Sequence, residues 1–193
     1  MPALVLASGS PRRRDLLSAA GFDFEVIAPD VDESASCALP VRELTTLNAT
    51  RKALAAARSR PDAVVLGADT LVSLEGEVIG KPADLDHARA TLRRLSGRDH
   101  QVCTAVFICG AVGAHSTSFH VVSDVRFREL DEGDITDYFA RINPLDKAGA
   151  YAAQGDGGTV IREVRGSFTN VIGLPMDETL RVLREFGIVP STR

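Results

Sequence analysis

Apolar positions along this chain change their spacing several times, and each change marks an element. Residues 3–7, "ALVLA", are an unbroken apolar run, the pattern of a strand buried on both faces. A helix is predicted from Pro11, with Ser10 as cap, Leu16, Leu17 and Ala20 as its buried side and Gly21 as its stop. "DFEVIAP" reads as a second strand, ahead of an acidic loop, "DVDESASCALP". From about Val41 to Arg60 a second helix carries Leu44, Leu47, Ala53, Leu54 and Ala57. "DAVVLGADTLVSL" is nearly all apolar up to Gly67 and reads as a central strand, with "EGEV" as a tight turn after it.

Asp84 to Leu95 places Leu85, Ala88, Leu92 and Leu95 on one helical stripe, and Gly97 follows as a stop. His100–Ile108 and Ser116–Phe127 alternate in period two, with Val121, Ser123, Val125 and Phe127 sharing a face. They read as an antiparallel pair joined through "CGAVGAH". Asp131 to Ile142 returns to helical spacing along Ile135, Tyr138, Phe139 and Ile142. A glycine-rich stretch, "NPLDKAGAYAAQGDGG", leads to a strand, "TVIREV", and a last helix from Pro175 to Phe186. Strands that precede helices and strands that pair as a hairpin together imply an α/β fold with a mixed sheet. With no internal repeat, low-complexity tail or linker, residues 1–193 form a single domain, built as one body or as two lobes sharing a sheet.

Charge narrows the partners. The chain has 26 acidic against 22 basic residues, a net charge of −4, which argues against a nonspecific nucleic-acid binder. Phe and Tyr together number ten and Trp is absent, so broad stacking platforms for single strands are not expected either. No apolar run is long enough to span a membrane, and the N-terminal run has no basic residue before it, so no membrane role and a cytoplasmic location are expected. Cys37, Cys103 and Cys109 make no CxxC pair; Cys103 and Cys109 read as small buried thiols in a reducing compartment.

The candidate chemistry is scattered. In "LASGSPRRRDLL" the amides of Gly9, Ser10 and the first helical turn can hold a phosphate. Arg12 and Arg13 in that turn oppose the helix dipole and fit best with an anion between them. The plain alternative is a solvated basic face, which is the reading for Arg14 beside Asp15. Asn48 and Lys52, four apart, share a helix face. Asp69 and Thr70 follow a run of interior residues, where a carboxylate needs a partner or a task; the alternative is a strand-ending turn cap. Lys81 lies between Gly80 and Pro82 on a restrained loop, suited equally to a phosphate or to the surface. Asp30, Asp32 and Glu33 can ligate a hard cation or merely solvate their loop. Asp146, Lys147 and Gln154 stand among glycines that allow close backbone approach. No histidine is assigned to a metal, and no nucleophile elbow supports acyl chemistry. Cations for a polyphosphate, a carboxylate for a metal and a base for water are the parts required to hydrolyse a phosphoanhydride.

Six blocks in order, "LASGSPRRRDLL", "VLGADTLV", "GEVIGKP", "LSGRDHQVCTAV", "PLDKAGAYAAQGDGG" and "GSFTNVIGLP", resemble the Maf family of nucleoside triphosphate pyrophosphatases, once described as septum-formation inhibitors. The resemblance implies a fold like the inosine triphosphate pyrophosphatases: an elongated curved sheet, two lobes and a central cleft. It implies cleavage between the α and β phosphates with a divalent metal cation (Mg2+ or Mn2+), often in a homodimer. By position, Asp69 matches the residue assigned as base, and Ser8, Arg13, Lys52 and Lys81 match phosphate-contacting positions. Glu33 matches an acidic position tied to catalysis or metal, so Glu33 and Asp69 are the expected metal ligands. Three positions that sort substrates in the family read Arg12, Thr70 and Gln154 here, similar to the branch acting on dTTP and UTP. The 7-methyl-GTP branch has a tryptophan where Arg12 stands, able to stack on a methylated purine. Asn143 replaces the acidic residue that family members commonly carry before "PLDKAGAY". Two alternatives stand beside this expectation: a pyrophosphatase for another modified nucleotide, and a non-catalytic nucleotide-binding regulator of cell division.

Overall fold

The computed structural model describes residues 2–31, 39–110 and 115–191, apart from the side chains of residues 156 and 157. Asp32, Glu33 and Cys37 therefore lie outside the described residues. Strand β1 (Leu4–Ala7) sits parallel to β2 (Glu25–Val26) on one side and to β3 (Val64–Leu74) on the other. β3 pairs antiparallel with a short β4 (Glu77–Ile79) and with β5 (Asp99–Cys109). β5, β6 (Ser116–Phe127) and β7 (Ile161–Arg165) continue the sheet in antiparallel register. The order β2-β1-β3-β5-β6-β7, with β4 beside β3, is the mixed sheet expected from the element pattern and the elongated one implied by the family resemblance. β2 is shorter than "DFEVIAP" suggested: only Glu25 and Val26 come into register with β1, opposite Val5 and Leu6.

Most helices follow their sequence signals, but Leu85, expected on the buried stripe of its helix, is 55% exposed in the first turn. Helix α1 (Pro11–Ala19) has proline in its first turn, yet Ser10 makes no side-chain cap. α3 (Leu85–Leu95) is capped by Asp84, which accepts from the His87 amide at 2.7 Å. α4 (Glu132–Phe139) opens on a reciprocal Asp131–Asp134 capping box, and α6 (Met176–Glu185) closes the chain. α2 (Val41–Ala57) buries Leu44, Thr45, Asn48, Ala49, Lys52, Ala53 and Ala56, whereas Leu54 is 48% exposed. Its inward face is thus not the apolar stripe that the leucines indicated. α5 (Phe168–Ile172) is too short for any periodicity to announce it; Ser167 caps its start and Gly173 ends it.

Three apolar clusters hold these parts together. One joins Leu92, Leu95, Ile135 and Tyr138 to Val72, Val102 and Phe127. Another joins Leu17, Val182 and Leu183 to Leu6, Leu66, Val106 and Ile108. A thinner layer of Ala53 and Ala56 under α2 meets Val5 and Val65. Each buried leucine contributes roughly 2 kcal/mol, so the first two clusters supply most of the driving force.

β3 is where the sheet serves the site. β1 pairs with it only as far as Gly67, and β4 only from Val72 onward. β5 pairs with it continuously from Val65 to Ser73. Residues 68–71 therefore have a strand neighbour on one edge only, and a cleft of about 690 Å³ opens beside them. Gly67 brings α2 close to that point: a Cβ there would lie 2.4 Å from the Ala49 carbonyl oxygen and 2.7 Å from the Ala53 nitrogen. Any other residue would hold the helix away.

Candidate active site

Asp69 and Thr70 occupy the unpaired edge of β3, and strand alternation sends them to opposite faces. Asp69 is 4% exposed. The Lys52 ammonium lies 2.8 Å from its Oδ1, and Asn48 Nδ2 donates to its Oδ2 at 3.1 Å. Helical spacing sets Asn48 and Lys52 on the inward face of α2, directly over the carboxylate that Gly67 lets the helix approach. Each carboxylate oxygen has further acceptor capacity beyond these bonds. Lys52 offsets the burial of the charge, so the cluster is a compensated ion pair facing the cleft.

On the opposite face Arg13 reaches in from α1 and is itself 8% exposed. Its Nε donates to the Gly173 carbonyl at 2.8 Å, Nη1 to Ser8 Oγ at 2.9 Å and Nη2 to Thr70 Oγ1 at 3.0 Å. Gly173 has φ 129°, a left-handed backbone that turns its carbonyl back under the guanidinium and requires glycine. Ser8 Oγ also accepts from the Ser10 amide at 3.3 Å. That amide is one of the donors the sequence offered to a phosphate, and within the protein it is turned on Ser8.

The remaining cations ring the opening. Lys81, exposed, follows β4 and lines the cleft. Arg12 points across it to Asp146, with the ions 3.6 Å apart. Lys147 lies 2.5 Å from Asp146 and donates to the Asn143 carbonyl at 2.7 Å. Burial pushes the Asp146 carboxyl up, but Lys147 and Arg12 outweigh it and hold it below the ordinary carboxylate range. Asn143 Oδ1 accepts from the Leu145 amide at 3.1 Å, so an amide fills the turn-capping role open to an acidic side chain there. Gln154 is exposed and next to Ala153, which lines the cleft. Glu33 lies outside the described residues. Arg14 pairs loosely with Asp15 at 3.9 Å on the surface.

The family profile described as "Maf-like protein" matches residues 3–186. The chain belongs to the Maf-like family. It is 46% identical to a protein of Akkermansia muciniphila named dTTP/UTP pyrophosphatase, over 97% of this chain and 98% of that one. Proteins of the same name from Escherichia coli K12 and Pelotomaculum thermopropionicum are 45% and 44% identical, covering 100% and 97% of this chain and 98% of each relative. The Staphylococcus aureus Ham1 protein superposes with a TM-score of 0.49 at 20% identity, over 66% of this chain and 72% of that one, a likeness too weak to bear on function.

In this Maf-like chain the sequence blocks converge on one cleft, and several residues behind it carried no chemical signal of their own. Gly173, Thr104 and Asn170 tie the Thr70 side of β3 to α5 and β5. Asn170 Oδ1 accepts from the Thr104 amide at 3.2 Å, while its Nδ2 donates to the Val102 carbonyl at 3.0 Å and to Ser123 Oγ at 2.9 Å. The block "GSFTNVIGLP" held Asn170 and Gly173 as resemblance only; nothing in their spacing said that Gly173 lines a cleft and Asn170 stands behind it. Beyond Thr70 the cleft turns apolar, along Leu71, Val72, Val78, Val102 and Tyr151. Tyr151 is held by His100, whose Nε2 lies 2.9 Å from the phenol oxygen.

Among the described residues no three of His, Cys, Asp and Glu gather as a metal cage. The described carboxylates lining the cleft are Asp69 and Asp146, and Lys147 and Arg12 already engage the latter. One buried carboxylate and one already paired with two cations are too few for an all-protein metal cage among the described residues. No described helix is long and apolar enough to cross a membrane.

Proposed function

We propose that this chain hydrolyses nucleoside triphosphates, dTTP and UTP foremost, to the monophosphate and pyrophosphate by attack of water on the α phosphorus. The observation that carries the reading is the buried Asp69–Lys52 pair at the unpaired edge of β3, opening on a cleft lined by further cations. Full-length relatives named dTTP/UTP pyrophosphatase support the substrate class.

The chain's own groups divide the work. Asp69 accepts a hydrogen bond from the attacking water and takes its proton, held in orientation by Asn48 and Lys52. Lys52 and Lys81 neutralise the charge that grows on the leaving pyrophosphate, which stabilises the transition state more than the ground state. Arg13 braces Ser8 and Thr70 while Ser8 meets a phosphate oxygen. Base recognition is assigned to Thr70, Arg12 and Gln154. A divalent cation arriving with the triphosphate would be held by Asp69, and by Glu33 on the family resemblance; when bound it supplies charge neutralisation and a more acidic water. We propose one domain whose two larger clusters flank the cleft. A homodimer is proposed on the family resemblance, and a cytoplasmic location on the buried free thiols Cys103 and Cys109.

The test is pyrophosphate release by the purified chain with magnesium or manganese across dTTP, UTP, CTP, GTP, 7-methyl-GTP and ITP. Release from dTTP and UTP ahead of the others is expected. Preference for a purine would overturn the substrate, and binding without release would make the chain a nucleotide-binding regulator.

A further inference from the structure

Thr104 lies on β5 behind Thr70, with no solvent exposure, and does not line the cleft. Its hydroxyl nevertheless decides what Thr70 offers to a ligand. Thr104 Oγ1 lies 2.9 Å from the Asn170 carbonyl, which can only accept, so the Thr104 proton points there. Thr104 Oγ1 also lies 2.9 Å from Thr70 Oγ1, and that contact then needs its proton from Thr70. Reversing it would leave Thr104 Oγ1 and the Asn170 carbonyl at contact distance with no proton between them. Thr70 Oγ1 in turn accepts from Arg13 Nη2 at 3.0 Å. One proton is spent inward and one lone pair on Arg13. What Thr70 shows the cleft is a single acceptor.

Ser8 has the opposite polarity by the same count. Its oxygen accepts from Arg13 Nη1 and from the Ser10 amide, so both lone pairs are engaged and its proton is left to donate. A donor at Ser8 suits an anion. An acceptor at Thr70, at the edge of the apolar part of the cleft, suits a ring N–H.

We propose that Thr104 is a positioning residue that fixes Thr70 as a hydrogen-bond acceptor, so that the cleft selects the imide N–H of uracil and thymine against the unprotonated ring nitrogen of cytosine. The inference rests on the pyrophosphatase reading above and adds the means of base selection. Uracil and cytosine are pyrimidines of one size, so shape alone separates them poorly, whereas a mismatched polar pair is costly. The other acceptor near the Thr70 proton is the Gly173 carbonyl, at 3.5 Å and already bonded to Arg13 Nε at 2.8 Å. Without the Thr104 hydroxyl, Thr70 is therefore free to turn its proton outward.

Thr104→Val tests this with little risk to the fold. The bond from the Thr104 amide to Asn170 Oδ1 stays, and the Asn170 carbonyl keeps its bond from the Gly173 amide. The readout is kcat/KM for UTP and for CTP in the parent, Thr104→Val and Thr104→Ser, with melting temperature as the fold check. The UTP-to-CTP ratio is expected to fall at least about tenfold in Thr104→Val, through a higher KM for UTP and a lower one for CTP with kcat little changed. Thr104→Ser keeps the hydroxyl and is expected to keep the ratio. An unchanged ratio in folded Thr104→Val, or an equal loss with both substrates through kcat alone, would overturn the proposal. If valine does not fold, Thr104→Ala removes the same hydroxyl and is judged by the same ratio. A parent that releases no pyrophosphate from any triphosphate would instead overturn the pyrophosphatase reading, whereas a parent active on UTP and CTP alike would overturn the polarity argument only.

Discussion

Helices α2 and α3 each bury one face, and the two faces differ in kind. α3 turns Ala88, Leu92 and Leu95 into an apolar cluster and keeps its charges outside. α2 turns in Thr45, Asn48 and Lys52 among its alanines and leaves Leu54 exposed. An apolar face is what folding favours, because burying a lysine and an aspartate costs desolvation that their attraction does not reliably repay. α3 is therefore explained by stability. α2 is explained only by what its polar face does, and that face ends on Asp69.

The comparison breaks most visibly at Asp69. Asp69→Asn keeps the size and an acceptor for Lys52 but removes the base, so pyrophosphate release should fall by at least about a thousandfold. The melting temperature should change far less; a collapse of the fold with activity per folded molecule intact would make the pair a structural feature. Leu92→Ala is the converse. It should cost about 3 to 4 kcal/mol in urea unfolding through the cavity it leaves, while kcat/KM of the folded protein stays near the parent value.

His100 sharpens the contrast, as a polar group inside the cluster that α3 helps to build. It is 2% exposed, packs edge-on to Phe127 and Tyr151, and its Nδ1 has no partner among the described residues. Burial pushes its pKa down to about 4 from an ordinary 6.5, against a weaker upward pull from Asp99. The unfolded chain takes up a proton below pH 6.5 that the folded one refuses until about pH 4, so stability falls as pH drops through that window. The loss should total about 3 kcal/mol. Urea midpoints from pH 7 to 4 for the parent, set against His100→Asn, isolate it; equal slopes would remove His100 as the cause. The smallest effect belongs to the outer side of α2, where Leu54→Lys should shift stability by less than about 0.5 kcal/mol and leave turnover unchanged.

These contrasts also explain what the sequence could reveal. α3, the β5–β6 pair and the central β3 were legible because their buried faces are apolar at a regular spacing. α2 was legible as a helix but not in its orientation, since a buried lysine resembles a surface one until its partner is known. Lys52 finds that partner 17 residues away on β3, and Arg13 finds Gly173 across 160 residues. No local pattern records contacts at such separations. Asp69 could be suspected because a carboxylate after five interior residues is costly, whereas Thr104 and Asn170 read as ordinary strand and loop residues. The family resemblance gathered the blocks; only the fold shows which side chains face the cleft and which stand behind it.

The broken edge of β3 has a mechanical consequence. β3, β5 and β6, of 11, 11 and 12 residues, each send side chains into both of the larger apolar clusters and pass behind the cleft without a break. The two walls are thus joined like the jaws of a sprung clip, through one continuous plate rather than a pivot. Widening or narrowing the mouth means changing the curl of three hydrogen-bonded strands at once, so the cleft resists deformation as a leaf spring does.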